Sequence, residues 1–240
     1  MRSQQEQMSE SELLKIAGLP QVVRLAWGLG GTTNRGPKPK QSTERILATA
    51  IQLADDEGLE RLSMAALAKP LGLATTALYR YVDSKEALIE LMVDAAVGRP
   101  PASAPASGWS ENARAWALAL MDVYALHPWL SDVVITSMPR TPNSFAWIES
   151  LLESLADSPL TESERLSAAL MLQGTVRTYA AMIRSLPEGP EVNAPFFSLL
   201  PALGAGAYPR LIAELQRERD SVSGEFLFAL EASLRGLAAS

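Results

Sequence analysis

The chain has 240 residues, 48% of them hydrophobic and 20% charged, with no cysteine, one histidine and a formal net charge of −6. That length allows one or two domains with a sizeable core, and the composition excludes a largely disordered chain. The lack of cysteine removes disulfides, thiolate metal sites and a cysteine nucleophile, and a lone histidine removes multi-histidine zinc sites.

No apolar run approaches the ~18–20 residues of a membrane span, and the start MRSQQEQMSESE lacks a secretory apolar stretch. A soluble, cytoplasmic protein with no metal, cofactor or membrane partner is expected. Charge is unevenly placed: residues 1–43 carry +3, residues 44–98 carry −4 and residues 99–240 carry −5. From Glu10 to Trp27 the chain can form a helix, with Leu13, Leu14, Ile16 and Ala17 before Gly18-Leu19-Pro20 and Val22, Val23, Leu25 and Ala26 after it. Gly28–Lys40, with four glycines and two prolines, cannot propagate a helix. Its end, Arg35-Gly36-Pro37-Lys38-Pro39-Lys40, is held extended by alternating prolines. Three cations with no nearby acid suit a phosphate track or a narrow minor groove, with a solvated linker as the alternative. The helical piece before this arm packs either on the C-terminal domain or along DNA.

Thr43 is expected to cap a helix carrying Ile46, Leu47, Ala50, Ile51 and Ala54 at helical spacing until Gly58. Ser63 caps a second helix through Leu71, closed by Gly72, and Leu73–Val82 gives a third. Asp83-Ser84-Lys85-Glu86 starts a fourth, whose Leu88, Leu91, Met92 and Ala95 form an apolar stripe ending at Gly98. The Pro-, Ala- and Ser-rich stretch Gly98–Gly108 is a composition break. Three parts are therefore expected: an extension with a basic arm (1–42), a compact helical domain (43–98) and a second helical domain (109–240). In the last, helices are expected over Ser110–Leu126, Asn143–Asp157, Arg210–Arg219 and Gly224–Leu237. A long helix runs from the capping box Thr161-Glu162-Ser163-Glu164 to Leu186. The architecture reads as all-α.

The most informative unit is Ser63–Val82. Two short helices around one glycine, with small residues between them, follow the helix-turn-helix plan. The second of them pairs inward Leu73, Ala77, Leu78 and Val82 with an outer face of Thr75, Thr76, Tyr79 and Arg80. Short hydroxyls at a helix start reach base edges or phosphates, and arginine forks onto guanine or a phosphate. An ordinary helical corner is the plain alternative for such a pattern alone. Its surroundings extend it. Ile46–Val97, with Ala-Leu-Tyr-Arg-Tyr-Val-Asp-Ser-Lys-Glu-Ala-Leu at 77–88, resembles the N-terminal domain of the TetR (tetracycline-repressor) family of bacterial transcription regulators.

The resemblance implies a three-helix helix-turn-helix domain followed by a C-terminal helical bundle for ligand binding and dimerisation. It implies a repressor that binds a palindromic double-stranded operator as a homodimer and leaves it when a small molecule enters the C-terminal domain. Base or backbone contacts are implied for Thr75, Thr76, Tyr79 and Arg80, and a phosphate contact for Lys85. The expected caps Thr43 and Ser63 and the arm residues Arg35, Lys38 and Lys40 join this DNA-facing set. Two residues depart from the pattern. Pro70 removes a donor and crowds the Ala66 carbonyl near the end of the second helix, and Ala65 offers only an apolar contact where a polar one is wanted.

The C-terminal part resembles the family's ligand-binding half more loosely. Polar and aromatic residues on its apolar helices are candidate pocket residues: Trp116, Tyr124, His127, Met138, Asn143, Trp147, Gln173 and Arg177. Gln173 and Arg177, four apart, share a helix face. Such a lining suits a small, largely apolar effector, such as a drug or antibiotic. Ala168, Ala169, Met171, Leu172 and Val176, with Phe226, Leu227, Leu230 and Leu234, supply apolar faces suited to a four-helix dimer contact. Two alternatives stand: a regulator that takes no ligand, and a small enzyme using His127 as its base. Against the enzyme, the chain has neither a Gly-x-Ser-x-Gly elbow nor a Gly-x-x-x-x-Gly-Lys-Ser/Thr phosphate loop.

Overall fold

The computed structural model describes residues 18–29, 42–102, 108–136, 138–185, 199, 206, 208–215 and 222–239. The arm residues Arg35, Lys38 and Lys40, and the 10–17 part of the expected first helix, lie outside them. Among the described residues the regular structure is helical, without a strand. The chain divides into two compact units, one of residues 1–103 and 132–153, the other of residues 104–131 and 154–240.

The first unit begins with α1 (Gln21–Ala26), followed by α2 (Thr43–Glu57), a 3-10 turn (Leu59–Arg61), α3 (Met64–Leu71), α4 (Thr75–Leu78) and α5 (Lys85–Val97). Serines start three of these helices. Ser42 Oγ accepts from Arg45 N–H at 3.2 Å, Ser63 Oγ from Ala66 N–H at 3.1 Å and Ser84 Oγ from Ala87 N–H at 3.0 Å. The cap of α2 is thus Ser42, and Thr43 is the first helical residue. Gly72 closes α3 in the left-handed region (φ 63°), with Leu73 N–H returning to Ala68 O at 3.1 Å. Pro70 is accommodated inside α3, exposed, one residue from its end. So close to the terminus its missing N–H forfeits a single helical bond.

The core of this unit joins Ile46, Ala50 and Ala54 of α2 to Leu62, Leu67, Leu71, Leu78, Val82, Leu88 and Met92. α2 packs on α3 and α5, α4 on α3, and α1 along α5. The unit also takes in α7 (Pro142–Ser154) except for its last residue. The reason is visible at its first turn. Asp94 Oδ1, on α5, accepts from Asn143 N–H at 2.8 Å and Ser144 N–H at 3.2 Å, while Asn143 Nδ2 donates to Asp94 O at 2.8 Å. In return Trp147 Nε1 donates to the Val97 and Gly98 carbonyls at the end of α5, both at 3.1 Å.

The second unit holds α6 (Trp109–Leu126), a 3-10 turn (Pro128–Asp132, its last residue in the first unit), α8 (Glu162–Ser185), α9 (Pro209–Leu215) and α10 (Val222–Ala238). α8 starts as expected at Thr161, whose N–H donates to Glu164 Oε2 at 2.8 Å. α6, α8 and α10 pack against one another, with Arg114 Nε 2.7 Å from Glu231 Oε1. Ala168, Ala169, Leu172 and Val176 of α8 and Phe226, Leu230 and Leu234 of α10 are already buried within one chain. The apolar residues left outward on these two helices are Leu166, Leu170, Met171, Leu227 and Phe228. Of the nine residues expected at a dimer contact, Met171 and Leu227 are thus exposed and the other seven are buried within one chain, because both helices are apolar on more than one side.

Asp94 is 7% exposed and holds the two backbone N–H groups that open α7. Asp94→Ala is expected to lower the stability of the first unit by about 1–3 kcal/mol, read from urea unfolding. Asp94→Asn, which keeps an acceptor oxygen, should lose less.

Candidate nucleic-acid interface and ligand cavity

Of the two helices of the expected helix-turn-helix, the first keeps its expected bounds and the second is shorter and tighter than its sequence suggests. α-Helical geometry in the second spans only Thr75–Leu78, and the chain then turns through Tyr81 with i to i+3 bonds, Arg80 N–H to Ala77 O at 3.3 Å and Tyr81 N–H to Leu78 O at 2.8 Å. Ala74 offers no side-chain cap, and two β-branched threonines follow it, which explains the brevity. Leu78 and Val82 are 1% exposed and fasten this short element to the core. On its other side Thr76, Tyr79 and Arg80 are exposed and Thr75 is half-buried. Tyr79 is 48% exposed, unusual for an aromatic on a helix so firmly packed.

Of the remaining DNA-facing candidates, Ser63 is exposed with its Oγ engaged in capping α3, and Thr43 and Lys85 are half-buried at the starts of α2 and α5. The Glu44 carboxyl, one residue beyond Thr43, is held below its ordinary range by its own backbone N–H and the Ser42 hydroxyl, so the first turn of α2 keeps a fixed negative charge.

The pocket candidates separate between the two units. Met138, Asn143 and Trp147 belong to the first unit, Trp116, Tyr124, His127, Gln173 and Arg177 to the second. Met138 is exposed, and the Asn143 and Trp147 side chains are engaged with the end of α5. Trp116 is buried on α6. Tyr124, near the end of the same helix, lies within electrostatic reach of Arg177. His127 ends α6, its ring centroid 6.3 Å from that of the buried Trp129. Arg177 Nη2 donates to Ser131 O at 3.3 Å and, two turns on, Arg184 Nη1 donates to Pro128 O at 3.2 Å. Both guanidiniums thus reach the 3-10 turn. Beside them an open cavity of about 580 Å³ is lined by Arg177, Thr178, Ala181, Met182 and Ser185, within the range of small-molecule sites. Arg184 was missed from sequence, although its i+7 spacing from Arg177 places both on one face of α8.

Burial raises the Tyr124 phenol above its ordinary 10.0, and the positive charge of Arg177 opposes that shift. Folding therefore favours the protonated phenol, and this stabilisation is lost as pH rises from 10.0 through the higher folded value. Arg177→Met is expected to push Tyr124 higher still, measured by tyrosinate absorbance against a Tyr124→Phe reference.

Comparison with known proteins adds relatives to this geometry. Residues 46–92 match the family described as bacterial regulatory proteins, tetR family, and residues 101–240 match the tetracyclin repressor-like C-terminal domain. The transcriptional repressor DrrR1 of Streptomyces coeruleorubidus is 37% identical over 161 residues, 66% of this chain and 59% of that protein. The aligned part spans about three fifths of the length of the curated relatives it matches. Among solved structures, apo ActR from Streptomyces coelicolor superposes with a TM-score of 0.73 at 24% identity, covering 85% of this chain and 97% of that one. ActR in complex with (S)-DNPA superposes with a TM-score of 0.70 at 25% identity, covering 85% and 98%.

Proposed function

The chain belongs to the tetR family of bacterial regulatory proteins, and we propose that it is a transcriptional repressor that binds a palindromic operator as a homodimer and leaves it when a small, largely apolar molecule enters the second unit. The observation that carries the DNA reading is the α4 turn: Thr76, Tyr79 and Arg80 stand exposed on an element pinned from behind by Leu78 and Val82. A rigid support with exposed hydroxyl, phenol and guanidinium groups is what major-groove readout requires. Lys85, at the start of α5, is placed to reach a phosphate, and Arg35, Lys38 and Lys40 would extend the contact into a minor groove. A related repressor from Streptomyces coeruleorubidus supports the regulatory sign.

For the effector, the second unit offers the open 580 Å³ cavity along α8 with Arg177 in its lining; Gln173 lies one turn earlier on α8, and Tyr124 and His127 lie near the end of α6, outside that lining. Arg177 suits an anionic or carbonyl-bearing group on an otherwise apolar body. The complex of ActR with a small molecule is consistent with ligand control. The dimer contact is assigned to the outward Leu166, Leu170 and Met171 of α8 with Leu227 and Phe228 of α10. Ligand and operator are coupled through α5, since α7, capped by α5, runs covalently into the second unit at Ser154. Reciprocity then requires that operator binding weaken ligand binding by the same factor.

The test begins with duplexes enriched by the full chain from a random-sequence pool. Enrichment of a palindrome is expected, and failure to enrich any sequence overturns the reading. On that duplex, Tyr79→Ala or Lys85→Ala should weaken binding about tenfold or more, with roughly one unit of salt slope lost for the lysine. Thr75 and Thr76 substitutions should instead change which bases are preferred.

Joint replacement of Arg35, Lys38 and Lys40 by alanine should lower affinity and reduce the salt slope by up to roughly three units per chain. Deleting residues 1–40 tests the arm less cleanly, because it also removes α1 and its buried Val22. An unchanged slope in the triple variant would leave the arm a solvated linker.

A further inference from the structure

Six residues are too few for a helix to hold on its own, so α1 exists only where it is docked. Its contacts lie at both ends. Gln21 Oε1 accepts from Asp83 N–H at 2.9 Å, immediately before the Ser84 cap of α5. Trp27 Nε1 donates to Arg140 O at 2.8 Å, and its ring meets Phe145 edge-on at 5.8 Å. Between them Val22 is 5% exposed. Gln21 to Trp27 spans about 9 Å at ~1.5 Å per residue, and Lys85 to Glu90 on α5 about 8 Å. The two helices are matched in length over this stretch.

The far end of that span is where α5 is tied directly to the start of α7. Arg140 Nε and Nη2 donate to Glu90 Oε1 and Oε2 at 3.2 and 2.8 Å, and one turn on Asp94 holds Asn143 and Ser144. These ties reach α5 only from Glu90 onward. Its first turn carries Lys85, and just before that turn Gln21 takes hold of the backbone at Asp83. Among the described residues Arg24 Nε on α1 is buried without a hydrogen-bond partner, a cost that undocking would remove.

We propose that α1 is a splint that carries the fixed position of the Arg140–Phe145 segment to the DNA-facing start of α5, with Trp27 as its positioning residue. The inference rests on the reading of α5 as the relay between ligand and operator. α1 acts through protein contacts and adds no contact to DNA. Its undocking frees the start of α5, so the resting spacing of the recognition elements depends on a helix outside the helix-turn-helix itself.

The experiment compares the full chain with Trp27→Ala, Trp27→Phe and Gln21→Ala, by amide hydrogen exchange over residues 83–90 and 140–147 and by affinity for the enriched duplex across a salt series. Trp27→Ala should speed exchange in both segments about tenfold, leaving the amides around Leu67 unchanged. It should weaken duplex binding about three- to tenfold with the salt slope unaltered. Trp27→Phe keeps the ring against Phe145 and should recover most of both, and Gln21→Ala should act in the same direction as Trp27→Ala over 83–90. A salt slope that falls with affinity would place α1 on DNA and overturn the proposal. So would faster exchange with unchanged affinity, or no change in either. If the wild-type chain enriches no duplex, the repressor reading fails separately. Exchange then decides alone: faster exchange over 83–90 in Trp27→Ala keeps the splint, and unchanged exchange removes it.

Discussion

Two helix ends that cannot satisfy themselves organise the first unit. The opening amides of α7 and the closing carbonyls of α5 are the orphan groups that every helix leaves at its termini. Here each helix supplies what the other lacks. Asp94 accepts the amides of Asn143 and Ser144, and Trp147 donates to the carbonyls of Val97 and Gly98. The exchange links positions about fifty residues apart and is largely shielded from water, where an unmade hydrogen bond costs most. It is why residues 132–153 return to the unit that the chain left near residue 103. α5 therefore serves two masters: its stripe of Leu88, Leu91 and Met92 closes the helix-turn-helix core, and its end holds α7.

The candidate DNA face depends on the same economy of polar groups. Ser42, Ser63 and Ser84 each spend a hydroxyl on the start of their own helix. The short α4 turn has no such cap, and Thr76, Tyr79 and Arg80 stand exposed along it. With residues 44–98 at a net −4, attraction to a polyanion cannot come from the overall field of this domain. In the proposed DNA complex it would come from cations placed locally, such as Arg80 and Lys85, and from the arm's Arg35, Lys38 and Lys40.

In the second unit the balance is different. α6, α8 and α10 are joined mainly by apolar packing, and polar chemistry gathers where Arg177 and Arg184 reach the 3-10 turn. Tyr124 lies in the same neighbourhood, with burial and a cation pulling its phenol in opposite directions. Under the proposed ligand reading, a cavity lined by an arginine, a methionine and an alanine would accept an apolar body and orient it by one polar group.

Local features are legible in the residues alone. Helix starts at Ser63, Ser84 and Thr161, the turn at Gly72, the breaks at Gly58 and Gly98, the all-α class and the exposed Thr76-Tyr79-Arg80 face follow from side chains within a few residues of the effect. Periodicity and capping act over one or two turns, so one sequence suffices to read them. Packing of whole helices sets which side of a helix with several apolar sides faces inward. It turned Leu172, Val176 and Leu230 toward the interior and left Leu166, Leu170 and Phe228 outside. It also paired Asp94 with Asn143, Gln21 with Asp83 and Trp27 with Arg140. Nothing in the neighbourhood of Asn143 or Trp147 marks them as partners of α5 rather than of a ligand, because a hydrogen bond across fifty residues is chosen by the packing of whole helices and leaves no periodic trace in either segment.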